Sequence, residues 1–153
     1  MINLISSQLV AKIPPISKPR MVASDRWKKR PVVLRYRAWA DEMRRIAKEQ
    51  DFVLGERFIA IFQMPMPESW SKKKKLEMDG KPHRNRKDLD NMQKALMDVL
   101  LVEDSSVYMS VGLKFWSSEP MIRVYNLHAT KTQTLYDFLK SMESPTPTMQ
   151  DWF

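Results

Sequence analysis

Between Asp88 and Phe115 the hydrophobic period switches within a few residues. Leu89, Met92, Leu96, Val99 and Leu100 fall on one side of a helical wheel, which predicts an amphipathic helix over Asp88–Leu101. After "VEDS", Val107, Met109, Val111, Leu113 and Phe115 alternate with Tyr108, Ser110, Gly112, Lys114 and Trp116. That period of two marks a strand with one face on a core. A one-faced helix running straight into a one-faced strand cannot bury either stripe alone. The chain is therefore expected to lay helices against a sheet.

The remaining segments supply both layers. Ser7–Ile13 predicts a short strand that stops at Pro14-Pro15. The Pro-broken, basic stretch that follows reads as a loop with an extended piece around Met21–Ala23. Pro31 suits a first helical turn, and Val32, Tyr36, Trp39, Ala40, Met43, Ile46 and Ala47 recur at helical spacing as far as Gln50. Arg57–Pro65 is nearly all apolar, which predicts a strand buried on both faces. A Pro-flanked excursion carries one short helix over Ser69–Met78. Met121–Ala129 is expected to return as the hairpin partner of the Val107–Phe115 strand, and a helix over Thr134–Met142 closes the domain. The expected fold is α+β: a single small domain over residues 1–143, with a mixed β-sheet, helices packed on it, and a tail over 144–153.

Charge narrows the partners. The formal net charge is +8, and residues 1–50 alone hold twelve Lys or Arg against four Asp or Glu. Basic clusters stand at Arg26–Arg30, at Lys72, Lys73, Lys74 and Lys75, and at Arg84, Arg86 and Lys87. Such an excess favours polyanions, because each cation beside a phosphate releases condensed counterions. There is no cysteine, so neither a disulfide framework nor a thiolate site is available. No apolar run is long enough to span a membrane, and the N-terminus has no signal-peptide pattern, so a cytoplasmic setting in a bacterial or phage-infected cell is expected. His83 reads as a surface or DNA-contact residue and His128 as a satisfied histidine of the last strand. Neither has a partner at metal spacing. Trp27 and Trp70 could stack on opened bases, although burial is the commoner fate of tryptophan.

Against this background the acids of the Asp88 helix stand out. Asp90 with Gln93 imitates a capping box, and Asp90, Lys94 and Asp98 could form an exposed ion-pair row. Each explanation is adequate for its own residues. Together, however, Asp88, Asp90 and the Glu103-Asp104 pair could converge if the strand after the turn runs back beside the helix. Converging carboxylates repel unless a hard cation neutralises them, and Mg²⁺ takes a few carboxylates while retaining waters. Lys94 lies one turn beyond Asp90 on the same face.

The run Asp88-Leu89-Asp90-Asn91-Met92-Gln93-Lys94, a D-x-D-N-x-x-K pattern followed by an acidic pair and a strand, resembles the RusA family of Holliday junction resolvases. The resemblance covers mainly Arg86–Lys114. It implies a small Mg²⁺-dependent endonuclease (Mn²⁺ serving as a substitute) with active-site residues Asp88, Asp90, Lys94 and Asp104. Asp88, Asp90 and Asp104 would hold the metal. It further implies a homodimer that acts on branched DNA, with paired cuts across a four-way junction. The pair here is Glu103-Asp104 where relatives more often have Asp-Asp, so the part played by Glu103 stays open. Lys72–Lys75, Arg84, Arg86 and Lys87 are the expected phosphate contacts. Two rival readings are a catalytically silent DNA-binding accessory and a metal-dependent flap or single-strand nuclease.

Overall fold

A computed structural model describes residues 4–142. Four strands, β1 (Ile5–Ala11), β2 (Arg57–Pro65), β3 (Met109–Ser117) and β4 (Met121–Leu127), form one mixed sheet in the order β1-β4-β2-β3. Four α-helices accompany them: α1 (Pro31–Glu49), α2 (Lys72–Met78), α3 (Leu89–Leu100) and α4 (Ala129–Ser141). The expected α+β class is therefore what the chain adopts. The expected tail over 144–153 lies outside the described residues.

The core forms between one sheet face and helices α1 and α3. From the sheet come Leu9, Ala11, Phe58, Ala60, Phe62, Met64, Ile122 and Val124; from the helices come Met43, Met92, Ala95 and Leu96, all buried. Burying each large side chain of this set stabilises the fold by about 1.5–3 kcal/mol. In α1 the buried stripe begins at Val33, not Val32, because Val33, Tyr36, Ala40, Met43 and Ala47 keep spacings of three and four. Pro31 occupies the first turn as expected.

Several expectations need correction. The strand after "SSEP" is not a hairpin partner of β3. β4 pairs antiparallel with β2 and β1, while β3 pairs parallel with β2. The most apolar strand thus takes two hydrogen-bonded neighbours, and the Ser118–Pro120 turn carries the chain across its end. β2 is not buried equally on both faces, since Ile59, Ile61 and Gln63 are only half-buried. In β3 the face towards the helices is the more polar one. Ser110, Gly112, Lys114 and Trp116 stand beside the buried Phe58, Ala60, Phe62 and Met64, leaving Met109, Val111, Leu113 and Phe115 on the outer face. The physical reason is close approach. Gln93 of α3 donates to the Ser110 hydroxyl at 2.6 Å, and a Cβ at Gly112 would meet the Gln93 amide at 2.7–3.0 Å.

Boundaries move for local reasons. β1 begins and ends two residues earlier than expected, stopping ahead of Pro14, whose carbonyl accepts the Trp39 indole N–H at 3.1 Å. α2 begins at Lys72 because the Ser71 hydroxyl caps the Lys74 amide at 3.2 Å. The stretch near Met21–Ala23 is not extended throughout, since Ala23–Arg26 is a 3₁₀ turn. α4 starts at Ala129, directly after β4, so His128 is an exposed N-cap residue and not a strand histidine.

Candidate nuclease site

The segment before α3 is fastened to the free edge of β3. The Gly80 amide donates to Trp116 O, the Trp116 amide to Lys81 O and the His83 amide to Lys114 O, each at 2.9 Å. Pro82 and Phe115 thereby form an antiparallel bridge. From the middle of β3 the Lys114 ammonium donates to two carbonyls of the following loop, Lys87 O at 2.8 Å and Asn85 O at 3.3 Å. Lys87 itself has φ 91°, a left-handed value that costs a lysine about 1–2 kcal/mol. The bend brings the chain into α3 with Asp88 at its N-cap.

His83 is buried in this segment, only 7% exposed, with its ring 4.1 Å from that of Trp116. It is thus neither surface nor DNA contact, because the edge pairing of residues 80–83 folds its ring inward. Burial first, then the charges of Lys114 and Lys87, hold its imidazole below the ordinary value. Trp70 is also structural. It packs on Trp116, with rings 4.8 Å apart, and carries the Lys74 ammonium 4.5 Å above it.

Asp88 has extended backbone angles at the N-cap, but its carboxylate makes no capping hydrogen bond. Asp90, in the first turn, and Lys94 are exposed. The ion-pair row does not form, since Asp98 pairs with Lys18 of the N-terminal loop. None of Asp88, Asp90, Lys94 and Asp104 has a side-chain hydrogen bond or ion pair within the described residues. The structural duties available to the two helix-start acids are therefore vacant. Just ahead of them in the chain Arg84, Arg86 and Lys87 are exposed; Lys72, Lys73 and Lys74 of α2 are also exposed, while Lys75 is half-buried.

Asp104 lies in the exposed turn between α3 and β3, where its carbonyl accepts the Val107 amide at 3.0 Å. Its charge acts on Lys18, the partner of Asp98. The neighbouring Glu103 accepts from the Ser105 hydroxyl at 2.8 Å, so it braces the turn. Among the described residues no group of three or more Asp, Glu, His or Cys side chains stands close enough to hold a metal ion. The donor chemistry of Asp88 and Asp90, two unpartnered carboxylates, suits a hard cation. A third acid does not join them in this conformation.

The sequence profile of the family described as endodeoxyribonuclease RusA matches residues 12–125, a span from the end of β1 into β4 that includes the whole of α3 and its acids. The chain belongs to the RusA family. It is accordingly an endodeoxyribonuclease of the Holliday-junction class, and RusA-family nucleases depend in general on divalent metals. No curated protein matches the chain. Among the described residues no helix is long and apolar enough to cross a membrane.

Sequence reading missed Lys114, which appeared to be a solvent-side lysine of a strand, and Asp25. The Asp25 carboxylate is buried and accepts from the Val22 amide at 2.8 Å and from Arg30 Nε and Nη2, each at 2.6 Å. Hydrogen bonding from Arg30 first, then from the Val22 amide, lowers its pKa from 3.8 to about 2 against the opposing effect of burial. A lowered folded-state value means the stabilisation is complete above the unfolded value and disappears as pH falls through the folded one. The stability difference between the protein and Asp25→Asn is therefore expected to hold at pH 6. It should shrink as pH falls from 3.8 towards about 2, which acid titration of unfolding midpoints checks.

Proposed function

We propose that the protein is a Mg²⁺-dependent endonuclease that resolves four-way DNA junctions as a homodimer, with each subunit hydrolysing one phosphodiester. The observation that carries this reading is the pair Asp88 and Asp90: two carboxylates without structural employment, at a helix start set among exposed cations. They would hold the metal, and Asp104 would complete the set as third ligand only on a rearrangement of the turn after α3 that brings it up to them. A bound Mg²⁺ (or Mn²⁺) supplies activation of water and neutralises charge developing on the phosphoryl oxygens. Lys94, on the same face of α3, places a cation beside those oxygens. Lys72–Lys75, Arg84, Arg86 and Lys87 would grip the backbone without reading sequence. The folded unit would comprise residues 1–143, in the cytoplasm of a bacterial or phage-infected cell.

The homodimer has physical support. Leu113 on the outer sheet face and Tyr108, Leu135, Tyr136, Phe138, Leu139 and Met142 on or beside α4 are all between 39% and 66% exposed. An apolar surface of this kind marks a protein contact. A two-fold pair presents two equivalent sites to the two equivalent strands of a junction.

One series of cleavage reactions tests the proposal, using four-way junction, duplex, flap and single-stranded DNA, each with Mg²⁺ and with EDTA. Paired nicks in the junction alone, lost in EDTA and restored by Mg²⁺, are expected. Junction binding without cutting under every condition would identify a silent binding protein, the reading favoured by the separate position of Asp104. Cutting without junction preference would identify a flap or single-strand nuclease.

A further inference from the structure

Trp27 is 69% exposed, whereas Trp39 and Trp116 are buried and Trp70 leans on Trp116. It stands at the end of the Ala23–Arg26 turn, between Arg26 and the Lys28-Lys29 pair, all exposed. A single exposed apolar residue is ordinary on a protein surface. This one is mounted on a rigid support. Asp25, one of the few buried charged residues, holds the turn from beneath by gripping the Val22 amide and the Arg30 guanidinium. Arg30 in turn donates to Arg20 O at 2.9 Å and Arg37 to Asp25 O at 3.3 Å. Burying a carboxylate is costly unless it is fully paired. Here that arrangement maintains a turn whose outward side carries an indole and three cations.

The turn is also connected to the nuclease site. A cleft of about 460 Å³ lined by Lys18, Pro19, Arg20, Met21, Asn91 and Lys94 runs between the N-terminal loop and α3. The Lys18 amide bonds to Asn91 O at 3.4 Å, which docks the loop on the helix. A nucleic-acid strand lying in this cleft would pass from Lys94 over Lys18, which Asp98 already pairs, to Arg20, and Arg20 is tied to the Trp27 turn through the Arg30 guanidinium.

We propose that Trp27 is a stacking platform for an unpaired nucleobase, presented between Arg26 and Lys28-Lys29 on a turn that Arg30 ties to Arg20 of the cleft beside Lys94. The inference rests on the reading of the protein as a DNA-junction nuclease. Bases within a duplex are covered on both faces, whereas a base opened at a branch point offers a free π-face to an indole. The neighbouring cations hold the backbone and argue against a protein partner, since charged residues are depleted at the centre of protein interfaces.

The test uses the full chain in EDTA, with four-way junction, single-stranded and duplex DNA of the same length. Trp27→Ala is expected to weaken binding to junction and single strand about tenfold while changing duplex affinity little, with Trp27→Phe retaining most of it. A 2-aminopurine placed unpaired at the branch should be quenched by the wild type and not by Trp27→Ala. Equal affinities of wild type and Trp27→Ala for all three DNAs would overturn the proposal. So would an equal loss on all three, which marks lost charge alignment or fold. Unchanged DNA binding with a shift from dimer to monomer would assign Trp27 to a protein contact instead. A wild type that shows no junction preference would sink the resolvase reading, and the single-strand arm would still decide Trp27.

Discussion

Asp90→Asn is expected to reduce junction cleavage by about a thousandfold while leaving junction binding intact or slightly tighter. Asn keeps the size and shape of the side chain and removes its charge. Asp90 is exposed in the first turn of α3, so its loss affects the fold only through the helix dipole, by about 0.3–1 kcal/mol. DNA affinity moves in the opposite direction to catalysis, because an anion is deleted from a surface that Arg84, Arg86, Lys87 and Lys94 make positive. A structural carboxylate would behave differently: its removal would lower the melting temperature and leave the cutting rate per folded molecule unchanged. The experiment therefore pairs single-turnover nicking in Mg²⁺ with gel-shift affinity in EDTA and a thermal melt. A variant that nicks at the wild-type rate would remove Asp90 from the site and, with it, the main support for metal-assisted hydrolysis at the start of α3.

Periodicity is a local property, and its success here has the same limit. The α3 stripe was legible because Met92, Leu96 and Val99 meet the core at helical spacing. The alternation of β3 was legible as a strand and misleading as to which face turns inward. Both faces of that strand meet something apolar or close, so alternation alone does not choose between them. The informative signal was Ser110 and Gly112, small residues at the place where Gln93 of α3 approaches. Strand order was not legible, because nothing in Met121–Leu127 says whether it lies beside β3 or crosses to the far side of β2. The candidate acids were found through spacing and a family resemblance. The supporting residues were not, because Lys114 and His83 behind the start of α3, and Asp25 in the N-terminal loop, act through backbone carbonyls, a buried ring and a paired carboxylate outside any motif. The relation of Asp104 to Asp88 and Asp90 depends on the turn after Leu100, whose exposed residues 102–106 leave no hydrophobic pattern to read.

Lys114→Met is expected to slow junction cleavage by about ten- to a hundredfold with binding largely preserved. Met keeps most of the aliphatic stem and loses the ammonium that holds Lys87 O and Asn85 O. Hydrogen bonds from a charged donor contribute about 1.5–3 kcal/mol each, and Lys114 is half-exposed, so the lower end applies. That is comparable with the cost of the left-handed backbone at Lys87, about 1–2 kcal/mol. Without the clamp, Lys87 can relax to an ordinary φ, and the residue that follows it is Asp88. The site would be misdirected, and the core, formed elsewhere by Phe58, Phe62, Met92 and Leu96, would not be disturbed. Lys114→Arg, which retains a cation with several donors, should recover part of the rate. Removing the cation also lifts one of the two charges that keep the His83 imidazole low, so its pKa should rise towards the ordinary value. Nicking rates for the two variants, with the His83 titration followed by NMR, separate a positioning role from simple destabilisation. A raised His83 pKa together with unchanged nicking would show that the clamp breaks without affecting the acids, and Lys114 would then be no more than a fastening of the sheet edge.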